Sequence, residues 1–211
     1  MMKQVNNRKT ELMKYIQPYM EEYFQISCTL IQKDIERNGE EIWSELKNIL
    51  YKLFKIVKER QTHHKKRDLQ YLNFNFLQSG IYTSKFELCI DALDDGFYLD
   101  KQETALYYCP CFLQEKYQKD ICGLLQQAES KFIRLQEYEL VEIKKQYTAV
   151  YDCIVYEWIK SLAKLILQEV VRSSVGITDK FMLIYGKYMD EAIILCTKEK
   201  FEDEILFNRN R

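Results

Sequence analysis

The chain has 211 residues, 47% of them hydrophobic and 30% charged, a balance typical of a globular and not of a disordered protein. Its formal net charge of −1 excludes an overall field that would draw it to nucleic acid or an anionic membrane. No apolar run reaches the length of a membrane span, and residues 1–10 lack the apolar core of a signal peptide. We therefore expect a cytoplasmic protein, and with only 2 Pro and 6 Gly for linkers, a single domain over residues 1–211.

The first predicted elements are two amphipathic helices within residues 8–62. Apolar residues recur there at steps of three and four, the spacing of one helix face. They are Leu12, Ile16, Tyr19, Tyr23, Ile26 and Leu30 in the first helix, and Ile42, Leu46, Ile49, Leu53 and Val57 in the second. Asn38-Gly39 is a typical helix stop, since both residues tolerate a left-handed backbone. Such a short connection predicts an antiparallel helical hairpin.

Both helices carry a second apolar row, which a single hairpin interface would cover only in part. These rows are Met13, Met20, Phe24 and Ile31 in the first helix, and Trp43, Leu50 and Phe54 in the second. Burial inside the domain and contact with another chain are the two alternatives. If a partner surface exists, we expect it at Tyr23, Trp43, Leu50 and Phe54, with Tyr23 or Trp43 as the anchor, because binding hot spots favour Tyr and Trp.

Beyond residue 68 the apolar period changes to two, which predicts a small antiparallel β-meander over about 69–100. The alternating residues are Leu72, Phe74 and Phe76 in the first strand and Phe86, Leu88 and Ile90 in the second. Ser79-Gly80 and Asp94-Asp95-Gly96 supply turn chemistry. The second turn leads into a third predicted strand at residues 97–99.

The remainder, about 112–200, is predicted to be helical. One helix is expected over 112–128, and a longer one over 137–171 is apolar on most sides between Tyr147 and Val171, as in a central, buried helix. Residues 181–196 fit either a helix or a hairpin that turns at Asp190-Glu191. The fold class is therefore α+β and mostly helical: an N-terminal helical hairpin and a long central helix pack with the β-meander.

The most prominent charged segment is the basic run over residues 58–67, with Lys65, Lys66 and Arg67 at its end. Such a cluster can neutralise phosphates, which makes a nucleic-acid-binding regulator one alternative. The run has no interleaved aromatic residues for base stacking, however, and cations suit the C-terminal dipole of a helix. We expect a solvated helix end and no nucleic-acid binding. His63 and His64 are adjacent and point about 100° apart on a helix, so they cannot chelate one metal together.

Two residue clusters are candidates for a site. One consists of acids, Asp91, Asp94, Asp95, Asp100 and Glu103, and the other of cysteines, Cys109, Cys111 and Cys122. The acids could serve a hard cation or paired-acid catalysis, but an Asp-Asp-Gly sequence is also common hairpin chemistry. The cysteines lack an evident fourth zinc ligand, and an odd total of seven fits reduced thiols. We predict no metal and no cofactor.

Recognisable catalytic motifs are absent: the sequence has no glycine-rich phosphate loop and no Gly-x-Ser-x-Gly elbow. Aromatic residues are abundant, with 16 Tyr and 11 Phe, and such residues are favoured at interfaces. The sequence therefore favours a non-catalytic interaction or regulatory module that binds a protein partner or associates with itself. An enzyme with an unrecognised carboxylate or cysteine site is the alternative besides nucleic-acid binding.

Overall fold

Two compact units make up the computed structural model, which describes residues 2–200, with side chains from Arg8 onward. The helical unit comprises residues up to Ile42, Gln78–Phe86 and Cys109–Val155. The sheet unit comprises Trp43–Leu77, Glu87–Tyr108 and the residues from Tyr156. Neither unit is a continuous segment of the chain, and a single domain over residues 1–211 remains a prediction.

The helical segment α1 (Met2–Thr62), in which two helical stretches meet at a kink, occupies the region of the predicted helical hairpin. Only Asn38 has non-helical dihedral angles (φ −121°, ψ 20°), and the helix resumes directly after it. The Asn38-Gly39 pair therefore marks a kink between two helical stretches and not a loop. The physical reason is that Gly39 does not adopt the left-handed backbone of a helix C-cap. The predicted hairpin over 8–62 is not confirmed.

The helical unit is built from the first part of α1, the short α2 (Ser79–Thr83), α3 (Cys111–Lys131) and most of α4 (Glu137–Ser161). The predicted helix over 112–128 is confirmed by α3. Large buried side chains fill the core, including Leu12, Ile16, Ile31, Tyr117, Tyr147 and Tyr151. None of the described helices combines the length and the apolar composition that crossing a membrane requires.

The sheet unit contains a five-stranded mixed sheet with the order β3-β2-β1-β4-β5. The strands are β1 (Leu69–Phe76), β2 (Leu88–Leu93), β3 (Ala105–Tyr108), β4 (Ile177–Lys187) and β5 (Ala192–Thr197). Neighbouring strands are antiparallel except β1 and β4, which are parallel. The predicted class, α+β and mostly helical, is confirmed.

Two predicted boundaries of the sheet require correction. The third strand of the meander is β3, whereas residues 97–99 form a 3-10 turn because Phe97 has a left-handed backbone (φ 52°) that no strand allows. Residues 181–196 form the β4–β5 hairpin, which decides the alternative left open by the sequence. The helical remainder predicted to residue 200 is thus interrupted after Ser173 by two strands.

The long helix predicted over 137–171 consists of two helices, α4 and α5 (Ala163–Ser173), which are separated at Leu162. In α5, Ile166, Leu167 and Val170 are buried, whereas Val171 is exposed. The segment is therefore buried along one face and not around its whole circumference.

The two faces of the sheet differ in chemistry. Alternation places Leu72, Phe74, Phe76, Leu88 and Ile90 on one face, and all of them are buried. The opposite face carries Asn73 paired with Asp91, and Asn75 paired with Cys89. These four polar side chains are buried as well. One face of the sheet therefore carries a buried polar cluster. The sequence alternation predicts that these residues share a face, but not that this face is buried.

Candidate functional site

Lys66, at the centre of the predicted nucleic-acid patch, is not on the surface. Its side chain is 0% exposed and pairs with Asp100, whose side chain is 2% exposed. The Lys66 ammonium also donates to the Gln102 carbonyl at 2.9 Å. Burial raises the pKa of Asp100, but the hydrogen bond from Lys66 and two backbone N–H donors outweigh it and hold that pKa below its usual range. Lys66 therefore holds a loop of the sheet unit and cannot contact phosphates in this conformation.

Arg67 is exposed, but acidic neighbours compensate its charge. Its guanidinium lies 3.0 Å from the Asp94 carboxylate and 2.7 Å from that of Asp95. Of the predicted patch, Lys65 alone is exposed without such an ion pair among the described residues. Two of the three cations of the predicted patch, Lys66 and Arg67, thus pair with carboxylates of the sheet unit.

Three of the predicted acids, Asp91, Asp100 and Glu103, line one cavity of about 50 Å³ together with Tyr98. Asp94 and Asp95 pair instead with Arg67. The Asp91 carboxylate accepts hydrogen bonds from Asn75 Nδ2 at 2.5 Å and from the Cys89 thiol at 3.2 Å. Burial raises the pKa of Asp91 more than these hydrogen bonds lower it.

The Tyr98 hydroxyl completes the polar cluster around Asp91. It accepts from Asn73 Nδ2 at 3.3 Å and from the backbone N–H of Met189 at 3.2 Å, and it donates to Asn75 Oδ1 at 3.4 Å. Asn73 Oδ1 has no hydrogen-bond partner among the described residues. The cavity has room for water or a small ion but lies far below the ~300 Å³ at which ligand pockets begin. An organic substrate does not fit there.

The predicted cysteine cluster does not form a metal centre. The Cys109 thiol donates to Gln114 Oε1 at 3.3 Å, and Cys122 is exposed on α3, where it contacts Gln126. Among the described side chains, no three His, Cys, Asp or Glu residues come together as metal ligands. No disulfide is formed there either.

The predicted partner surface is divided by burial. Leu50 and Phe54 are buried, so neither side chain is accessible to a partner in this conformation. Trp43 is half-buried in the sheet unit. Tyr23 is half-buried in the helical unit, where it lines a groove.

This groove lies between α1 and α3 and has a volume of about 740 Å³. From α1 it receives Tyr23, Ile26, Ser27 and Leu30, which follow one helix face at steps of three and four. From α3 it receives residues between Glu115 and Gln126. Ile26 is 53% exposed and Leu30 is 45% exposed. Both belong to the first predicted apolar row, but the buried residues of α1 before its kink at Asn38 are Leu12, Ile16, Met20, Ser27 and Ile31.

Gly123 lets the two helices approach each other beside this groove. A Cβ atom at Gly123 would lie 2.7 Å from Cε2 of Tyr23, closer than any non-bonded contact allows. Glycine in the middle of a helix costs about 1 kcal/mol relative to alanine, so the residue is explained by this contact and not by helix propensity. The Tyr23 ring therefore lies directly against the α3 backbone.

Asp120 lies at the base of the groove, on the same face of α3 as Gly123. The residue is 8% exposed, and one carboxylate oxygen, Oδ2, accepts the hydroxyl protons of Tyr147 at 2.6 Å and Tyr151 at 2.7 Å. Burial raises the pKa of both tyrosines, and the neighbouring carboxylate raises it further. Both hydroxyls therefore stay protonated and act as donors to Asp120.

Nothing local in the sequence marks Asp120 as part of a site. The acid lies in an ordinary amphipathic pattern, and its partners come from α4, about thirty residues further along the chain. The one signal that could have found the site is the spacing of Tyr147 and Tyr151, one turn apart on a predicted buried helix, because buried hydroxyls need polar partners.

No protein-family model, no curated protein and no solved structure matches this chain.

Proposed function

We propose that the helical unit is a protein-interaction module whose groove between α1 and α3 binds an amphipathic helix of a partner protein. The observation that supports this proposal is the exposure of Ile26 and Leu30, one turn apart, along the wall of a groove of about 740 Å³. Exposed apolar side chains that line a groove are typical of a binding surface.

The shape of the groove favours a helix as the occupant. Its walls are two helices, and the apolar side chains of α1 recur at the spacing of a helix ridge. An amphipathic helix buries its apolar face in such a groove through residues spaced three and four apart. Glu115 and Lys119 are exposed at the rim and carry opposite charges, which suits the charged flanks of an amphipathic helix.

The test is a selection from a displayed library of helical peptides against the full chain, followed by affinity measurements with fluorescence anisotropy. Leu30→Glu should weaken binding of the selected peptides by about tenfold or more, because burial of a leucine contributes about 1.5–3 kcal/mol. Leu165→Glu is the matched control, since Leu165 is 40% exposed on α5 in the sheet unit. It should leave the affinity unchanged.

Three outcomes would contradict the proposal. The selection yields no binder, or Leu30→Glu leaves affinity intact, or both variants weaken binding equally. If sedimentation shows that the protein is a dimer that Leu30→Glu dissociates, the occupant is a second copy of this chain and not a partner protein.

A further inference from the structure

We infer that the helix bound in this groove carries a lysine or arginine whose side chain ends on Asp120. This inference rests on the proposed function of the groove and names the chemistry of its occupant. It starts from a carboxylate that is buried, lines the groove and pairs with no lysine, arginine or histidine among the described residues.

The nearby cations of the protein are directed elsewhere. Lys116, one turn before Asp120 on α3, pairs with Asp34 of α1 at 2.5 Å and donates to the Phe112 carbonyl at 2.9 Å. Lys119 is exposed at the rim. A buried carboxylate is costly unless it is paired with a cation or fully hydrogen-bonded. A cationic side chain of the occupant would supply the charge that the helical unit does not.

Tyr147 and Tyr151 determine which group Asp120 can accept. Both hydroxyls donate to Oδ2, and the described contacts leave Oδ1 without a donor. Because both tyrosines keep their protons and donate them to Oδ2, neither hydroxyl has a proton left for a ligand, and both can only accept from one. The base of the groove therefore presents an acceptor with negative charge, which favours an ammonium or guanidinium and rejects an acidic side chain.

The position of Asp120 also determines where this cation lies in the bound helix. Ile26 and Leu30 line the groove from α1, and the buried Asp120 lines it from α3. A bound helix that covers the two apolar residues directs a neighbouring side chain toward Asp120. We therefore place the basic residue inside the apolar face of the peptide, flanked by apolar residues three or four positions away.

The experiment is a double-mutant cycle with the peptides from the library selection. The best binder is measured with its basic residue intact and with that residue replaced by norleucine, against the unaltered protein and against Asp120→Asn. Asparagine keeps the size and an oxygen acceptor for the tyrosines. With the unaltered protein, norleucine should weaken binding by at least about tenfold, because close buried charge pairs couple strongly across interfaces. With Asp120→Asn the same replacement should change affinity less than threefold.

The possible outcomes separate this inference from the proposed function. Selected peptides that bind at the groove but lack a basic residue in the apolar face would overturn the inference alone. A norleucine effect of equal size in both proteins would do the same. Failure to select any binder would overturn the proposed function and the inference together. Should Asp120→Asn fail to fold, the norleucine effect is compared between the unaltered protein and Glu115→Gln at the rim. If the basic residue pairs with Asp120, the effect is the same in both proteins. If the effect disappears in Glu115→Gln, the basic residue pairs with the rim and the inference is wrong.

Discussion

The ion pair between Lys66 and Asp100 permits a sharp test of what the basic run does. We predict that Lys66→Met destabilises the fold, because it leaves a carboxylate that is 2% exposed without its cation. Removal of one member of a buried pair costs about 3–5 kcal/mol. Asp100 would keep hydrogen bonds from the backbone N–H groups of Asp94 at 3.1 Å and Gln102 at 2.8 Å. We therefore expect the lower end of that range, about 3 kcal/mol.

The control is Lys65→Met, which changes the same residue type at the adjacent, exposed position. Surface substitutions of this kind usually stay within about 0.5 kcal/mol. Urea denaturation followed by circular dichroism gives both free energies of unfolding. For a chain of this size, about 3 kcal/mol corresponds to a fall in melting temperature of roughly 6–12 °C. Equal stability of the two variants would refute the structural role assigned to Lys66.

The same pair predicts a pH dependence with a definite sign. The pKa of Asp100 is lowered in the folded protein, so ionisation of Asp100 stabilises the fold above its unfolded-state pKa. This stabilisation is lost as the pH falls through the folded-state pKa. The difference in stability between Lys66→Met and the unaltered protein should therefore be largest near neutral pH and shrink in acid.

Three further predictions concern other parts of the molecule. Asp91→Asn should raise the melting temperature at neutral pH, because burial raises the pKa of Asp91 and so penalises its ionised form. This gain should vanish below about pH 4, where Asp91 is protonated in the folded and in the unfolded protein. Gly123→Ala should lower the free energy of unfolding by about 1–3 kcal/mol despite alanine's better helix propensity, and Tyr23→Ala in the same protein should relieve part of that loss. Thiol titration of the unfolded chain, prepared without reductant, should find seven reactive cysteines, and a stable intramolecular disulfide would contradict it.

The elements that the sequence predicted correctly are those with a strong local period. The alternation of Leu72, Phe74 and Phe76 predicts β1 because side chains of a strand point to opposite faces. The steps of three and four predict α3 and most of α4 for the equivalent reason. The residues 181–196 remained open because a short apolar run fits a helix and a strand equally well, and only pairing with β1 decides between them.

The features that the sequence did not predict depend on contacts between distant segments. Ile26 and Leu30 fit the apolar row of α1, yet the face that is buried turns out to follow Ser27 and Ile31. The sequence predicts the acidic cluster but not how it divides, because Asp94, Asp95 and Asp100 pair with cations of another segment, whereas Asp91 is bonded by Asn75 and Cys89. The groove also depends on distant contacts, since the hydroxyls that bond Asp120 come from α4 and not from its own helix.

The parallel pairing of β1 with β4 has a consequence for how the protein is made. Leu69 pairs with Ile177, more than one hundred residues later. At typical rates of synthesis, roughly 5–20 s pass between the emergence of these two strands from the ribosome. During that interval one edge of β1 has no strand to pair with, and unpaired strand edges are prone to aggregate. Pairing over such a sequence distance is also slow to form. Slower growth at low temperature or added chaperones should therefore increase the soluble yield of this protein more than that of a purely helical protein of equal length.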